Sequence, residues 1–182
     1  MGAIHVHEFM SLDGVIETPS WTAEFGFDPQ MGEAIGAVTA GSAGILLGRT
    51  TYEMFAPAWS QRTAEEDPGA PFFNESRKYV VSSTLTDPSW NNTQVVGAYD
   101  PEAIRRLKDE VDGDLYVSGS ATLVREMLAD GLVDELHLFV FPITLGDGLR
   151  LFRDADDTRK LSLARSETYP NGVVYLAYRP QA

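Results

Sequence analysis

Ile4 to Met10 alternates apolar and polar side chains, the two-residue period of a strand with one buried face. Ser11-Leu12-Asp13-Gly14 follows as a turn. Thr18 to Gln30 is aromatic and contains proline, so it predicts a long loop that either walls a pocket or packs onto the core. Met31, Ala34, Ile35 and Val38 then recur at helical spacing. Ala43 to Leu47 is a short apolar run of the kind that forms a buried central strand, and Thr50 or Thr51 is placed to cap the helix after it.

Tyr79 to Ser82 and Gln94 to Val96 predict two more strands. Asp100-Pro101 is a cap followed by proline at the first helical position, ahead of Ile104, Leu107 and Val111. Asp114 to Val117 reads as a strand that ends at Ser118-Gly119-Ser120. A helix carrying Leu123, Val124, Met127 and Leu128 follows and stops at Gly131. Leu136 to Phe141 is a strongly apolar strand closed by Pro142, and Leu161 to Tyr178 predicts two strands joined at Pro170-Asn171-Gly172. Strands alternating with helices, then an antiparallel ending, predict an α/β fold. Its sheet is mixed, mostly parallel with an antiparallel C-terminal part, and helices cover both faces. The absence of linkers, repeats and low-complexity segments predicts one domain over residues 1–182.

Charge narrows the function. The formal net charge is -13, from 27 acidic and 14 basic residues. Such a surface repels a polyphosphate backbone, which argues against a nucleic-acid partner, while a few local donors still hold a small anion. With no cysteine, thiolate catalysis and a cysteine zinc site are excluded, in keeping with a cytoplasmic protein. No run approaches the roughly 20 apolar residues of a spanning helix, and no secretory signal is expected at the N-terminus. His5 and His7 share a strand face, but without a matched third ligand they predict no metal site.

Two strand-to-helix junctions carry the ligand argument. At Leu47-Gly48-Arg49-Thr50-Thr51, Gly48 permits close approach, the helix start offers N–H groups, and the Arg49 fork suits a phosphate. At Val117-Ser118-Gly119-Ser120-Ala121-Thr122, small residues leave room for a pyrophosphate over another helix N-terminus. Ser82, Ser83 and Thr84 end a third strand with polar groups. Either junction alone is equally an ordinary turn and cap. The pair is more telling, because sheets of this kind bind ligands at the carboxyl ends of their strands. Neither GxGxxG nor GxxxxGK[ST] occurs. Asp13 stands beside the aromatic loop, where it either stabilises its turn or, with a pKa raised by burial, handles a proton. Glu8, Glu17 and Glu24 show no paired geometry.

Several blocks occur together in one order. They are Ser11-Leu12-Asp13-Gly14, Leu46 to Glu53, Lys78 to Leu85, Leu115 to Ser120, Gly131 to Leu136 and Pro142 to Gly148 with Leu151-Phe152. The set resembles the bacterial RibD C-terminal domain family, which shares the dihydrofolate reductase fold, over almost the whole chain. That resemblance implies an NADPH site. Gly48, Arg49 and Thr50 would lie at the phosphate end, Ser82, Ser83 and Thr84 along the adenosine, and Ser118, Gly119, Ser120, Ala121 and Thr122 around the pyrophosphate. It implies hydride transfer to a pyrimidine- or pteridine-like heterocycle, as in the riboflavin-pathway reductase that acts on a ribosylaminopyrimidine phosphate. The substrate would stack on the loop bearing Trp21 and Phe25, with Asp13 as the orienting or proton-handling group. A homodimer is common in the family.

Two departures stand out: Ser118-Gly119 replaces the usual Gly-Gly pair, and the tryptophan-and-acid arrangement of dihydrofolate reductase is not reproduced after the first strand. The alternatives are dihydrofolate reductase-like activity and a non-catalytic nucleotide or small-ligand binder whose groove Trp21 or Phe25 fills.

Overall fold

β1 (Ile4–Ser11) buries Ile4 and Val6 completely on one face, where they join the large core cluster. The computed structural model describes residues 2–153 and 158–181, so Met1 and Ala182, the ends of the expected domain range, fall outside the described residues. A 3-10 helix (Pro19–Phe25) interrupts the expected long loop, and α1 (Pro29–Ala40) starts where Asp28 accepts the Gln30 N–H. β2 (Ser42–Gly48) runs into α2 (Arg49–Trp59), and α3 (Ala70–Glu75) is a short helix that the apolar pattern does not announce. β3 (Arg77–Val81), β4 (Thr93–Gly97), α4 (Pro101–Glu110), β5 (Asp114–Ser118), α5 (Ala121–Ala129), β6 (Glu135–Phe141), β7 (Leu161–Thr168) and β8 (Val174–Pro180) complete the order.

The strands form one sheet in the order β4-β3-β2-β5-β1-β6-β8-β7. All neighbours from β4 to β6 are parallel, and β8 runs antiparallel to both β6 and β7. The chain is therefore an α/β fold with a mixed, mostly parallel sheet and an antiparallel C-terminal region. Helices pack on both faces. Ile104 and Leu107 of α4 join Leu123, Val124, Met127 and Leu128 of α5 over one side of β1, β2, β5 and β6. On the other side, α1 packs over Phe139, Phe141 and Tyr175, while Tyr52 and Phe73 cover Ile45, Leu47 and Tyr116.

The central strands are buried on both faces, which is why they read as apolar runs rather than alternation. Asp100 accepts the Glu102 N–H at the start of α4. The expected threonine cap of α2 is replaced by Gly48, and the helix begins at Arg49 without a capping side chain. Lys78 is completely buried and donates its Nζ hydrogens to the carbonyls of Phe73, Asn74 and Ser76, closing the end of α3. Burial pulls its pKa down to about 8. No helix of the described residues is long and apolar enough to cross a membrane.

Candidate functional site

Parallel pairing brings the carboxyl ends of β1, β2, β3 and β5 to one edge of the sheet, and a cavity of about 590 Å³ opens there. Its lining includes Gly48, Arg49 and Thr50 from the β2–α2 junction and Ser82, Ser83 and Thr84 from the end of β3. Ser118, Gly119, Ser120, Ala121 and Thr122 come from the β5–α5 junction. The tertiary structure thus gathers into one cavity three segments that are far apart in sequence.

Ser120 ties the two helix starts together. Its Oγ accepts the Gly48 N–H at 2.8 Å and donates to Thr51 Oγ1 at 2.7 Å. Gly48 is close-packed against Ser120, since a Cβ there would lie 3.0 Å from Oγ. The glycine therefore serves the approach of the two junctions to each other, and its N–H is already engaged. Gly119 and Ser120 both take left-handed backbone, at φ +62° and +67°. A Cβ on Gly119 would also stand 3.1 Å from Thr51 Oγ1, so two constraints select glycine there. Ser118, by contrast, ends β5 in strand conformation. Of the family's usual glycine pair, the second position is the one whose backbone demands glycine, so serine at the first is accommodated.

Because Ser120 is turned toward Gly48 and Thr51, it does not cap α5, and no side chain caps α2 either. Both helices present uncapped N-termini to the cavity, where free N–H groups and the helix dipole favour an anion. Arg49 is the only Lys or Arg among the described lining residues. It pairs with Glu53 at 3.0 Å, with the two side chains 48% and 50% exposed. So open a pair is weakly held, and the guanidinium is available to a phosphate. Ser82 Oγ accepts the Thr84 and Leu85 N–H groups and lies 3.4 Å from Thr84 Oγ1, so it shapes the turn that carries Ser83 and Thr84 to the cavity.

The aromatic loop divides. Its first part, Ile16, Glu17, Thr18 and Pro19, lines the cavity together with Leu149. Trp21 and Phe25 do not: both rings pack edge-on against Phe141, at centroid distances of 5.4 and 5.5 Å, so they support the core. Asp13 is also outside the lining. Its carboxylate accepts from Ser11 Oγ at 2.6 Å and from the Leu145 and Gly146 N–H groups at 3.1 and 2.8 Å. Led by the Ser11 hydroxyl, these donors hold its pKa down to about 2. Asp13 clips the turn after β1 to the Leu145–Gly146 loop. That is the reverse of the raised pKa a proton-handling role requires.

Glu8, Glu17 and Glu126 line the cavity, and the buried one is Glu8, which the spacing of acids in the sequence does not single out. It is 3% exposed, and its Oε1 has no hydrogen-bond partner. Burial pushes its pKa up to about 8 against the opposing effect of the Gly119 N–H, so it is a neutral acid at pH 7. The usable signal was its place in β1: Glu8 falls on the same strand face as the apolar Ile4 and Val6.

On the opposite face, His5 Nδ1 meets His137 Nε2 at 3.0 Å, His137 Nδ1 meets the Tyr175 hydroxyl at 2.8 Å, and His7 Nδ1 meets the Tyr116 hydroxyl at 2.6 Å. Burial lowers His7 to about 3 and His137 to about 4, so both are neutral. No group of three or more His, Cys, Asp or Glu among the described residues is arranged to hold a metal ion.

The chain is 28% identical over 178 residues to the uncharacterized protein YyaP of Bacillus subtilis (strain 168), covering 93% of this chain and 90% of that protein. Its fold superimposes on a Shewanella sp. PV-4 protein named for riboflavin biosynthesis with a TM-score of 0.81, at 21% identity and 99% coverage of both chains. It also superimposes on the Enterococcus faecalis dihydrofolate reductase solved in complex with NADP(H), with a TM-score of 0.63, 14% identity, and coverage of 100% of this chain and 98% of that one. These two structural likenesses concern the fold. Residues 3–175 match the RibD C-terminal domain family, and with the blocks around Asp13, Arg49, Ser82 and Gly119 in that family's order, the chain belongs to it.

Proposed function

We propose that this protein is an NADPH-dependent reductase of a pyrimidine- or pteridine-like heterocycle, of the kind that acts in riboflavin biosynthesis. The observation that carries the reading is the convergence of two uncapped helix N-termini and Arg49 on one cavity at the carboxyl ends of parallel strands. The residues present fit the cofactor. The α5 start with Ser118 to Thr122 would offer backbone donors to a pyrophosphate, Arg49 would offer a charge to a further phosphate, and Ser83 and Thr84 would flank the adenosine end.

When bound, the reduced nicotinamide supplies a hydride. The chain's own contribution is to align the two reactants and keep water from them. Ile16 and Leu149 are apolar residues of the lining against which a flat ring would be held, with Glu17 and Glu8 lining the same cavity. Glu17 is already oriented, since its Oε2 accepts the Leu149 N–H at 3.1 Å. A ligand-binding scaffold without turnover is the competing reading. It calls for a groove filled by Trp21 or Phe25, and both rings are directed to Phe141 instead.

Calorimetric titration with NADPH and with NADH tests the assignment. The expected result is tighter binding of NADPH, which Arg49→Ala weakens about tenfold to a hundredfold, the loss of one charge-assisted contact. NADH binding should change much less. Failure of both nucleotides to bind, or equal affinities indifferent to Arg49, overturns it.

A further inference from the structure

Glu8 is a buried feature of the cavity that an anion site alone does not explain. A carboxylate there would oppose any phosphate at the α5 N-terminus, and a simple anion cradle has no need of it. Yet the side chain is buried, lines the cavity, leaves Oε1 without a partner, and stands against the Gly119 amide where α5 begins.

The surroundings give a negative charge on Glu8 little support. Across the sheet its register partner on β6 is Leu138, which is apolar. From β5, the nearby titratable group is Tyr116, whose hydroxyl is bonded to His7 and whose pKa is itself pushed above the usual range by burial. From α5, the charge facing the cavity is Glu126, and from the segment after β1 it is Glu17; both are acids. The cation is Arg49 on α2, shared with Glu53. A protonated carboxyl, however, is a hydrogen-bond donor, and Glu8, in the cavity wall with Oε1 buried and unpartnered, has a proton to offer an acceptor that approaches its exposed edge.

We propose that Glu8 acts as a carboxylic acid that donates its hydrogen bond to an anionic oxygen seated at the N-terminus of α5, so that the cavity takes up a phosphorylated ligand together with a proton. The proposal rests on the anion-site part of the function proposed above and specifies how that site selects its ligand. It accounts for the placement of an acid beside a phosphate cradle with one basic side chain. An ionised Glu8 would repel the ligand and also lack the donor, so affinity is lost for two reasons at once. The free protein has Glu8 protonated up to about pH 8. A bound anion favours the neutral form further, which opens a window above pH 8 in which binding draws in a proton.

The test is calorimetry with NADPH and with ADP between pH 6.5 and 9.5 (about three pH units, enough for the linkage slope), in buffer pairs of different ionisation enthalpy, on wild type and Glu8→Gln. For wild type the expected result is an affinity level below pH 8 that then falls about tenfold per pH unit, with net proton uptake. Glu8→Gln stays neutral at every pH and should bind both ligands with a flat profile and no uptake. Carbon-13 NMR of the glutamate carboxyls in free wild type gives a second readout, in which one carboxyl titrates far above the rest.

Equal slopes in wild type and variant overturn the proposal, as does a free protein in which every glutamate titrates in the ordinary range. Binding of ADP with the expected slope, but of NADPH no better than ADP, leaves the proton-coupled anion site standing and removes the nicotinamide reading. No binding of either ligand at pH 6.5 overturns both.

Discussion

Glu8 and Asp13 are five residues apart, on one strand and the turn that follows it, and they occupy opposite electrostatic extremes. Asp13 accepts a hydroxyl and two backbone N–H groups, and its pKa falls to about 2. Glu8 has one amide against it and a buried oxygen with no partner, and burial raises its pKa to about 8. The difference is one of donors and solvation. A carboxyl at a turn collects the free N–H groups that turns supply, whereas a carboxyl on the buried face of a central strand finds them already used by the ladder. Asp13 therefore holds a loop in place as a permanent anion, and Glu8 remains an uncharged donor in the cavity.

The largest effect expected from this contrast is on Glu8. Its folded pKa lies above its unfolded one, so its contribution to stability is full below about pH 4.5 and is lost as pH rises to about 8. Glu8→Gln removes that loss. Chemical denaturation across this range should find the variant gaining on wild type with pH, by at most about 1.4 kcal/mol per pH unit, and levelling above pH 8. A constant difference would break the comparison.

Gly119→Ala should act next. Alanine at φ +62°, with its Cβ 3.1 Å from Thr51 Oγ1, costs about 1–2 kcal/mol in urea denaturation and weakens ADP binding, because the α5 start must shift. Asp13's acid response should be untouched by it.

Asp13→Asn sharpens the other arm. Asp13's pKa is depressed on folding, so its contribution is present above about pH 4 and disappears as pH falls through about 2. The variant should have a lower Tm than wild type at pH 7, with the gap closing over that acid window, and ADP affinity within about twofold of wild type, as expected for a site separate from the cavity. A larger loss of affinity would return Asp13 to the binding machinery.

Much of the architecture was legible because periodicity is local. β1, β2, β5 and β6 announce themselves as alternating or continuous apolar runs, and the Asp100-Pro101 start of α4 and the turn at Asn171-Gly172 are written in cap and turn residues. α3 was not legible, since six residues are too few for a helical period to emerge. The start of α2 was misplaced because its cap is a glycine with no side-chain signature. The candidates at Gly48–Thr50, Ser82–Thr84 and Ser118–Thr122 line one cavity because each follows the carboxyl end of a parallel strand. The substrate-side candidates Trp21 and Phe25 turned inward, because Phe141 offered apolar surface that an aromatic ring buries more favourably than it faces water.

The sequence by itself determined the longer elements and their order, the family and the residue types available for chemistry, all of which depend on neighbours along the chain. Tertiary structure decided which acid is charged. Parallel pairing set Glu8 beside Gly119, 111 positions away, buried and with one oxygen unpartnered, and the fold of the 145–150 loop delivered two N–H groups to Asp13. The protonation state of a carboxyl depends on what surrounds it in space, and spacing along a strand carries no record of that.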